Sequence, residues 1–333
     1  MHIAAPRRAG LYSAQTEGEI NVQTVAKAAK FPLSKEKRKR IRRNIPLYLM
    51  FIPVLLFFAV FKYGPMGGLI IAFKDFNLFD GVFGSPWVGF ANFETVFSNP
   101  QTSQIIRNTL VLSLLKIVAG FPFPILIALM LNEVRRLTVK KIVQTAVFLP
   151  YFLNWVIVGG IVVTMFATDT GMVNRLLEMT FGVSYSFLYE QNTWVSIFLL
   201  SDVWKNAGFG AIIYLAALAA IDPALYEAAA MDGAGKFRQA WHISLPGIRS
   251  IMILIFILSM GSVMEVGFDH VWVLRNPVVS DIAQVISTYV YEFGLRGGYL
   301  GLSTAIGLFE SLVGFMLVLM ANWIAKRFGE EIW

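Results

Sequence analysis

YEAAAMDGAGKFRQAWHISLPGI, residues 226–248, is a polar, helix-prone interruption in an otherwise apolar chain. Asp222 and Pro223 just before it read as an N-cap and a first helical residue. The alanine-rich run 224–231 favours a helix, because alanine loses no side-chain entropy on becoming helical. Asp232-Gly233 then signals a turn, since glycine adopts the positive φ that ends a helix. A second short helix is expected over 234–244, ended by Pro246. The result is a bent pair of helices held between two membrane spans. Small residues and charges (Glu227, Asp232, Lys236, Arg238) share its face, as a docking element requires.

Composition fixes the class of the surrounding chain. Its 333 residues are 56% hydrophobic and 15% charged, with a mean hydropathy of +0.63. That is far more apolar than a soluble domain, so the chain reads as an integral membrane protein. The net charge of +7 could point to nucleic acid. The basic residues instead gather in one tail and in loops, the pattern of membrane topology, and no nucleic-acid partner is expected. Without cysteine there are neither disulfides nor thiolate metal sites. The first apolar run starts near Ile45 behind a long basic segment, and so reads as a retained anchor rather than a cleaved leader.

Residues 1–44 are polar, lack periodicity and end in KEKRKRIRRN. A basic block directly before a span reads as a cytoplasmic tail beside anionic lipid. Spans are expected over 45–61, 109–131, 142–166, 195–220, 251–273 and 302–324, each near the about 20 residues that a hydrocarbon core of about 30 Å requires. Pro53 should kink the first. Residues 62–97, rich in Gly, Pro and aromatics, are expected at the interface, their middle (67–73) being too short to span. Six spans place both termini on one side. The tail, the 132–141 loop, the 222–247 loop and the C-terminal tail hold about 20 Lys and Arg, against about 6 in the three opposite loops. The tails and the 222–247 loop are therefore expected in the cytoplasm.

The 226–248 stretch resembles the signature loop of bacterial ABC importer permeases: EAA, three residues, Gly, nine residues, then I-x-L-P. Glu227, Ala228 and Ala229 supply the first part, with Asp232 just before the glycine. Gly233 is that glycine, and Ile243, Leu245 and Pro246 the end. The stretches PMGGLIIAFKDFN, SPWVGFANF, GFDHVWVLRNPVVSD and TAIGLFESLVGFMLVLMANWIAKRFGE extend the similarity to the polysaccharide and oligosaccharide branch of carbohydrate importers. Within it the chain looks most like a permease subunit of a bacterial alginate importer, with oligogalacturonide importers close behind. The resemblance implies an all-α, type I importer permease fold over 45–333, with six transmembrane helices and a cytoplasmic coupling helix between the fourth and fifth. It implies a non-catalytic subunit of an inner-membrane, binding-protein-dependent importer for an acidic, alginate-like saccharide. Its partners would be a second permease, two ATPases that bind ATP and Mg, and an extracytoplasmic solute-binding protein. The chain itself would hold no cofactor. Neutral or galacturonate oligosaccharides are the alternative cargo.

Within that reading Glu227 stands in the first turns of its helix, favoured by the macrodipole and able to face a basic group on the ATPase. Ala228 and Ala229 permit close approach, and Gly233 supplies the bend. GAGK at 233–236 is no phosphate loop, since Ala230 and Phe237 stand where that loop needs Gly and Ser or Thr. His2, His242 and His270 lack metal-ligand spacing. Ionisable residues at membrane depth mark the candidate translocation path: Lys116, Asp202, Lys205, Glu265, Asp269 and Glu310. Asp202 and Lys205 could instead close on each other as an i, i+3 pair. Lys116, Lys205 and Arg275 would suit a polyanionic sugar, while packing or gating suits Glu265 and Glu310. Trp155 and Trp204 are candidates for stacking on sugar rings, and Trp194 and Trp272 are expected in an interfacial belt. A secondary transporter working without ATP would need an inverted repeat. None is visible, and it would leave the 226–248 pattern unexplained.

Overall fold

The computed structural model describes residues 35–327, with side chains described from Arg43, so most of the basic tail expected over 1–44 lies outside the described residues. All regular structure among them is helical. Three helical runs are long and apolar enough to cross a bilayer: Arg43–Phe73, Pro100–Glu133 and Leu300–Lys326, of 31, 34 and 27 residues. Three bent pairs meet the same criterion together, so the described residues hold up to six crossings if each pair is one.

The described residues divide into two compact units, one up to Met66 and the other from Gly67 onward. In the first, helix α1 (Lys35–Phe58) runs through Pro46 and Pro53. Its apolar side chains from Ile45 onward are exposed, among them Met50 at 76% and Leu47 at 64%. Exposure of so many large apolar groups suits hydrocarbon, where no hydrophobic penalty attaches to them.

The second unit opens with a 3₁₀ turn, Gly67–Phe73, which packs on the long helix Leu300–Lys326, as does Ala91–Ser98. Residues 67–97 are thus more integrated than an interface-lying loop. The Asn92 amide ties the two pieces by donating to the carbonyls of Ala72 (2.8 Å) and Lys74 (2.9 Å). Helix Pro100–Gly120 is capped by Asn99, which accepts from Gln101 N, and it continues past Phe121 as Pro122–Glu133.

The expected third and fifth spans are not single helices. Leu137–Phe152 and Trp155–Phe166 meet at 102°, because Pro150 and the N-cap Asn154 restart the chain in a new direction. The expected fifth span breaks after Arg249–Gly261. It resumes as Phe268–Leu274 beyond an irregular segment 262–267, whose Gly267 has φ +98. Gln191–Ala219, 29 residues long, is the central helix and packs most extensively against Pro122–Glu133. At Gly208 it approaches Leu137–Phe148 so closely that a Cβ would collide with the Val147 carbonyl.

Four apolar clusters hold these helices together, the smallest made by Ile257, Ala321 and Ala325. The largest joins Leu112, Val158, Trp194, Phe198, Val266 and Val271. Trp194 is 1% exposed and donates its indole N–H to the Leu274 carbonyl at 2.9 Å. The interfacial belt expected for Trp194 is therefore replaced by a core position, where the ring buries its area and its single donor is satisfied. Half-buried Trp272 instead lies under the Arg275 guanidinium at 3.8 Å. A second cluster includes Ile105, Met264, Ile286 and Ile306, and a third includes Ile125, Ala128, Tyr214, Leu218 and Ile248.

Candidate functional site: the 222–247 element and a charged cavity

The signature stretch folds as a short hairpin of helices. Asp222 Oδ1 accepts from Ala224 N at 2.9 Å and caps Pro223–Met231, as its sequence requires. That helix leaves Gln191–Ala219 at 75°. Gly233 turns the chain with φ +75, and Lys236–Gln239 follows. The second helix runs on past Ser244, through a π turn, Ala240–Ser244, and Leu245–Gly247, and ends one residue after Pro246 rather than before it.

Two side-chain contacts close the hairpin. Tyr226 Oη and Ser244 Oγ stand 2.9 Å apart, and Gln239 Nε2 donates to the Ala234 carbonyl at 3.0 Å. Lys236 Nζ reaches Glu133 at 2.9 Å, joining the element to the end of Pro122–Glu133. Glu227, Ala228, Asp232, Gly233 and Pro246 are exposed, while Ala229, Ile243 and Leu245 are half-buried. Met231 (89%), Phe237 (83%) and Trp241 (60%) stand out beside them. Large apolar groups bare among charges form the composition of a contact surface.

The second constellation lies halfway along the long helices. Lys116 Nζ meets Asp202 Oδ1 at 3.0 Å and donates to the Val266 carbonyl at 2.9 Å. Asp202 therefore pairs across helices with Lys116, not with Lys205 one turn away. The same carboxylate oxygen accepts from Asn206 Nδ2 at 2.9 Å. Lys205 donates to the Tyr151 carbonyl at 2.7 Å, with its ammonium 5.5 Å from the Trp155 ring centre.

Trp155 stacks on His270 at 3.7 Å, and Phe198 closes the other face at 3.9 Å. The imidazole is fully buried, with Nε2 3.0 Å from Ser201 Oγ. Ser201 commits its one proton to the Phe198 carbonyl at 2.9 Å. The ring thus donates from Nε2 and leaves Nδ1 bare, 3.9 Å from Asp202 Oδ1 and without a hydrogen-bond partner.

A cavity of about 250 Å³ opens beneath the ion pair. Lys116, Asp202 and Glu265 stand at one end of it. From there the lining runs toward the 222–247 element through Pro124, Gly210, Tyr214 and Ile255. Three sequence candidates thus converge, and Lys205 and Trp155 lie behind them at His270. Trp204, 48% exposed, does not join. Glu265 also lines a neighbouring cavity with Glu310. His270 escaped the sequence reading because a lone histidine in an apolar run carries no spacing signal. Among the described residues no group of acidic or histidine side chains could hold a metal ion.

Comparison with known proteins now places the chain. The sequence profile described as "Binding-protein-dependent transport system inner membrane component" covers residues 120–330. The chain belongs to that family. It is 45% identical over 301 residues to a polygalacturonan/rhamnogalacturonan transport system permease protein of Bacillus subtilis (strain 168), covering 89% of this chain and 94% of the relative.

Solved structures that the chain resembles include two that superpose with a TM-score of 0.80. One is from a bacterial ABC transporter involved in the import of the acidic polysaccharide alginate, at 41% identity, covering 88% of this chain and 99% of that one. The other is from a bacterial alginate ABC transporter in complex with alginate pentasaccharide-bound periplasmic protein, at 40% identity over 88% and 98%. The fold is that of a type I ABC permease, and the chain is a membrane transport subunit of a sugar or polysaccharide importer.

Proposed function

We propose that the chain is the permease of an ATP-driven importer of acidic oligo- or polysaccharides, working with a second, different permease, two ATPases and an extracytoplasmic solute-binding protein. The observation that carries this reading is its similarity, over nearly its whole length, both to a chain of an alginate importer and to a polygalacturonan/rhamnogalacturonan permease. Alginate and galacturonan share the uronate carboxylate as their repeating charge. The chain holds no cofactor in this reading, and the partner ATPases bind ATP and Mg.

Residues 45–333 form the permease domain and residues 1–44 a cytoplasmic tail. The distribution of Lys and Arg supports placing both termini and the 222–247 element in the cytoplasm of an inner membrane. There the element is the coupling helix. Glu227 and Asp232 supply charge to the ATPase cleft, and Ala228 and Ala229 permit close approach. Gly233 sets the bend, while Ile243, Leu245 and Pro246 root the hairpin. Exposed Met231, Phe237 and Trp241 support this role, since they offer apolar area for the ATPase to cover. Lys116, Asp202 and Glu265 line the translocation path, with Lys205 and Trp155 behind them.

The test is purification of the tagged chain in mild detergent from its own cells, followed by identification of what accompanies it. A second permease and an ATPase are expected, and oligouronate should stimulate hydrolysis by that complex. Recovery of the chain alone, from membranes whose other complexes stay intact, overturns the reading.

A further inference from the structure

We propose that Lys116 is a carboxylate-binding residue of the path whose site is filled here by Asp202, so that an acidic sugar advances by exchanging its own carboxylate for that of Asp202. This rests on the acidic-saccharide reading above and adds the residue that senses the acid.

Five features support the exchange. Among the described residues Lys116 is the one cation lining the cavity beneath the pair. Its side chain is 20% exposed against 10% for Asp202, so it is the less buried partner of the pair. An ammonium has three donors. Val266 O and Asp202 Oδ1 account for two, and the third can engage an incoming carboxylate before the first bond breaks.

Departure of Lys116 does not strand Asp202. Asn206 already donates to it at 2.9 Å. That hydrogen bond lowers the cost of breaking a pair that would otherwise leave a buried charge uncompensated. Lastly, Ser259 and Ser262 line the same cavity with hydroxyl-bearing residues and Gly120 and Gly210 leave it uncrowded, which suits a polyhydroxylated ring. At about 250 Å³ the cavity is just under the ~300 Å³ at the low end for small-molecule sites, so in this state it admits one ring rather than a chain.

The exchange has a structural consequence. Val266 belongs to the irregular segment 262–267, and Lys116 Nζ is what its carbonyl accepts from. A carboxylate that draws the ammonium toward the cavity therefore also pulls on the break between Arg249–Gly261 and Phe268–Leu274.

The experiment compares wild type with Lys116→Met, Asp202→Asn and the double variant. Each is co-assembled with the same second permease and ATPases in proteoliposomes and supplied by the same solute-binding protein. Uptake of a galacturonate trisaccharide is measured against uptake of its methyl ester, and the readout is the acid-to-ester ratio. Lys116→Met should lower that ratio about tenfold, the worth of one charge-assisted hydrogen bond. Asp202→Asn, which removes the internal competitor, should raise it. The double variant should match Lys116→Met.

A pair that merely locks helices together would move acid and ester uptake alike and leave the ratio unchanged in every variant. That result overturns the inference while leaving the acidic-saccharide reading intact. A wild-type transporter that takes up the ester as readily as the acid overturns the reading itself, and the inference with it.

Discussion

Gly233 offers the cleanest separation of backbone geometry from side-chain contact. Its φ is +75, and a Cβ built on it meets no atom within 4 Å, so a substitution pays only for conformation. For an ordinary L residue the left-handed region costs roughly 1–2 kcal/mol. Asn tolerates it far better, whereas a β-branched residue fares worst. A penalty of about 1–2 kcal/mol reduces the population of the bent hairpin about 5–30-fold relative to straightened alternatives. If that bend seats the element on the ATPase, sugar delivered per ATP should fall in the order Gly, Asn, Ala, Val. Hydrolysis itself should fall less, because its chemistry lies in the partner. The assay is paired uptake and phosphate release from one set of proteoliposomes. Wild-type uptake per ATP in Gly233→Val would refute the coupling role. Equal damage from Asn and Val would refute the conformational argument, pointing to a direct contact at this position.

Other consequences are simpler. Trp194→Phe keeps an aromatic ring in the core but leaves the buried Leu274 carbonyl without its donor, which should lower stability by about 1–3 kcal/mol, read as a reduced melting temperature in detergent. Ile248→Ala opens a void beneath the 222–247 element at a fully buried position, at a cost of about 2–5 kcal/mol. It should also lower sugar delivered per ATP in the proteoliposome assay. Arg275 holds Glu292 at 2.6 Å, and that hydrogen bond keeps the carboxyl below its usual 4.5. Because the folded value is depressed, the pair contributes stability above pH 4.5 and loses it as pH falls through the folded value. The melting-temperature gap between wild type and Glu292→Gln should therefore be constant from pH 8 to about pH 5 and close in more acid solution.

What the sequence made legible were features with a local cause. Asp222-Pro223 and Gly233 sit where capping and positive φ place them, since each depends on a few neighbours in the chain. Long apolar runs such as 302–324 were equally plain. Bends were not: Asn154 and Pro150 turn an apolar run through 102°, and hydropathy is blind to direction. Partner choice was not legible either. Asp202 and Lys205 look like a one-turn pair on the sequence, yet Lys116 arrives from 86 positions upstream and takes the carboxylate. Trp194 misled for a related reason: near the start of a span it resembles a belt residue, and only the distant Leu274 carbonyl makes its burial affordable.

The proposed lever and the proposed path share their helices. Gln191–Ala219 carries Asp202, Gly210 and Tyr214 along the cavity and then runs directly into the cap of Pro223–Met231. Arg249–Gly261 leaves the same element and returns along the cavity with Ile255 and Ser259. Between element and cavity lies no slack linker but a packed cluster of Tyr214, Leu218, Ile248 and Ala128. Close-packed cores have low compressibility and transmit displacement rather than absorb it. A shift imposed on the exposed face around Glu227 would therefore move both cavity walls together, toward the end where Lys116 holds Asp202 and the Val266 carbonyl. The ion pair stands where that motion meets the broken segment 262–267, so closure by an ATPase and arrival of a carboxylate would act on the same three groups.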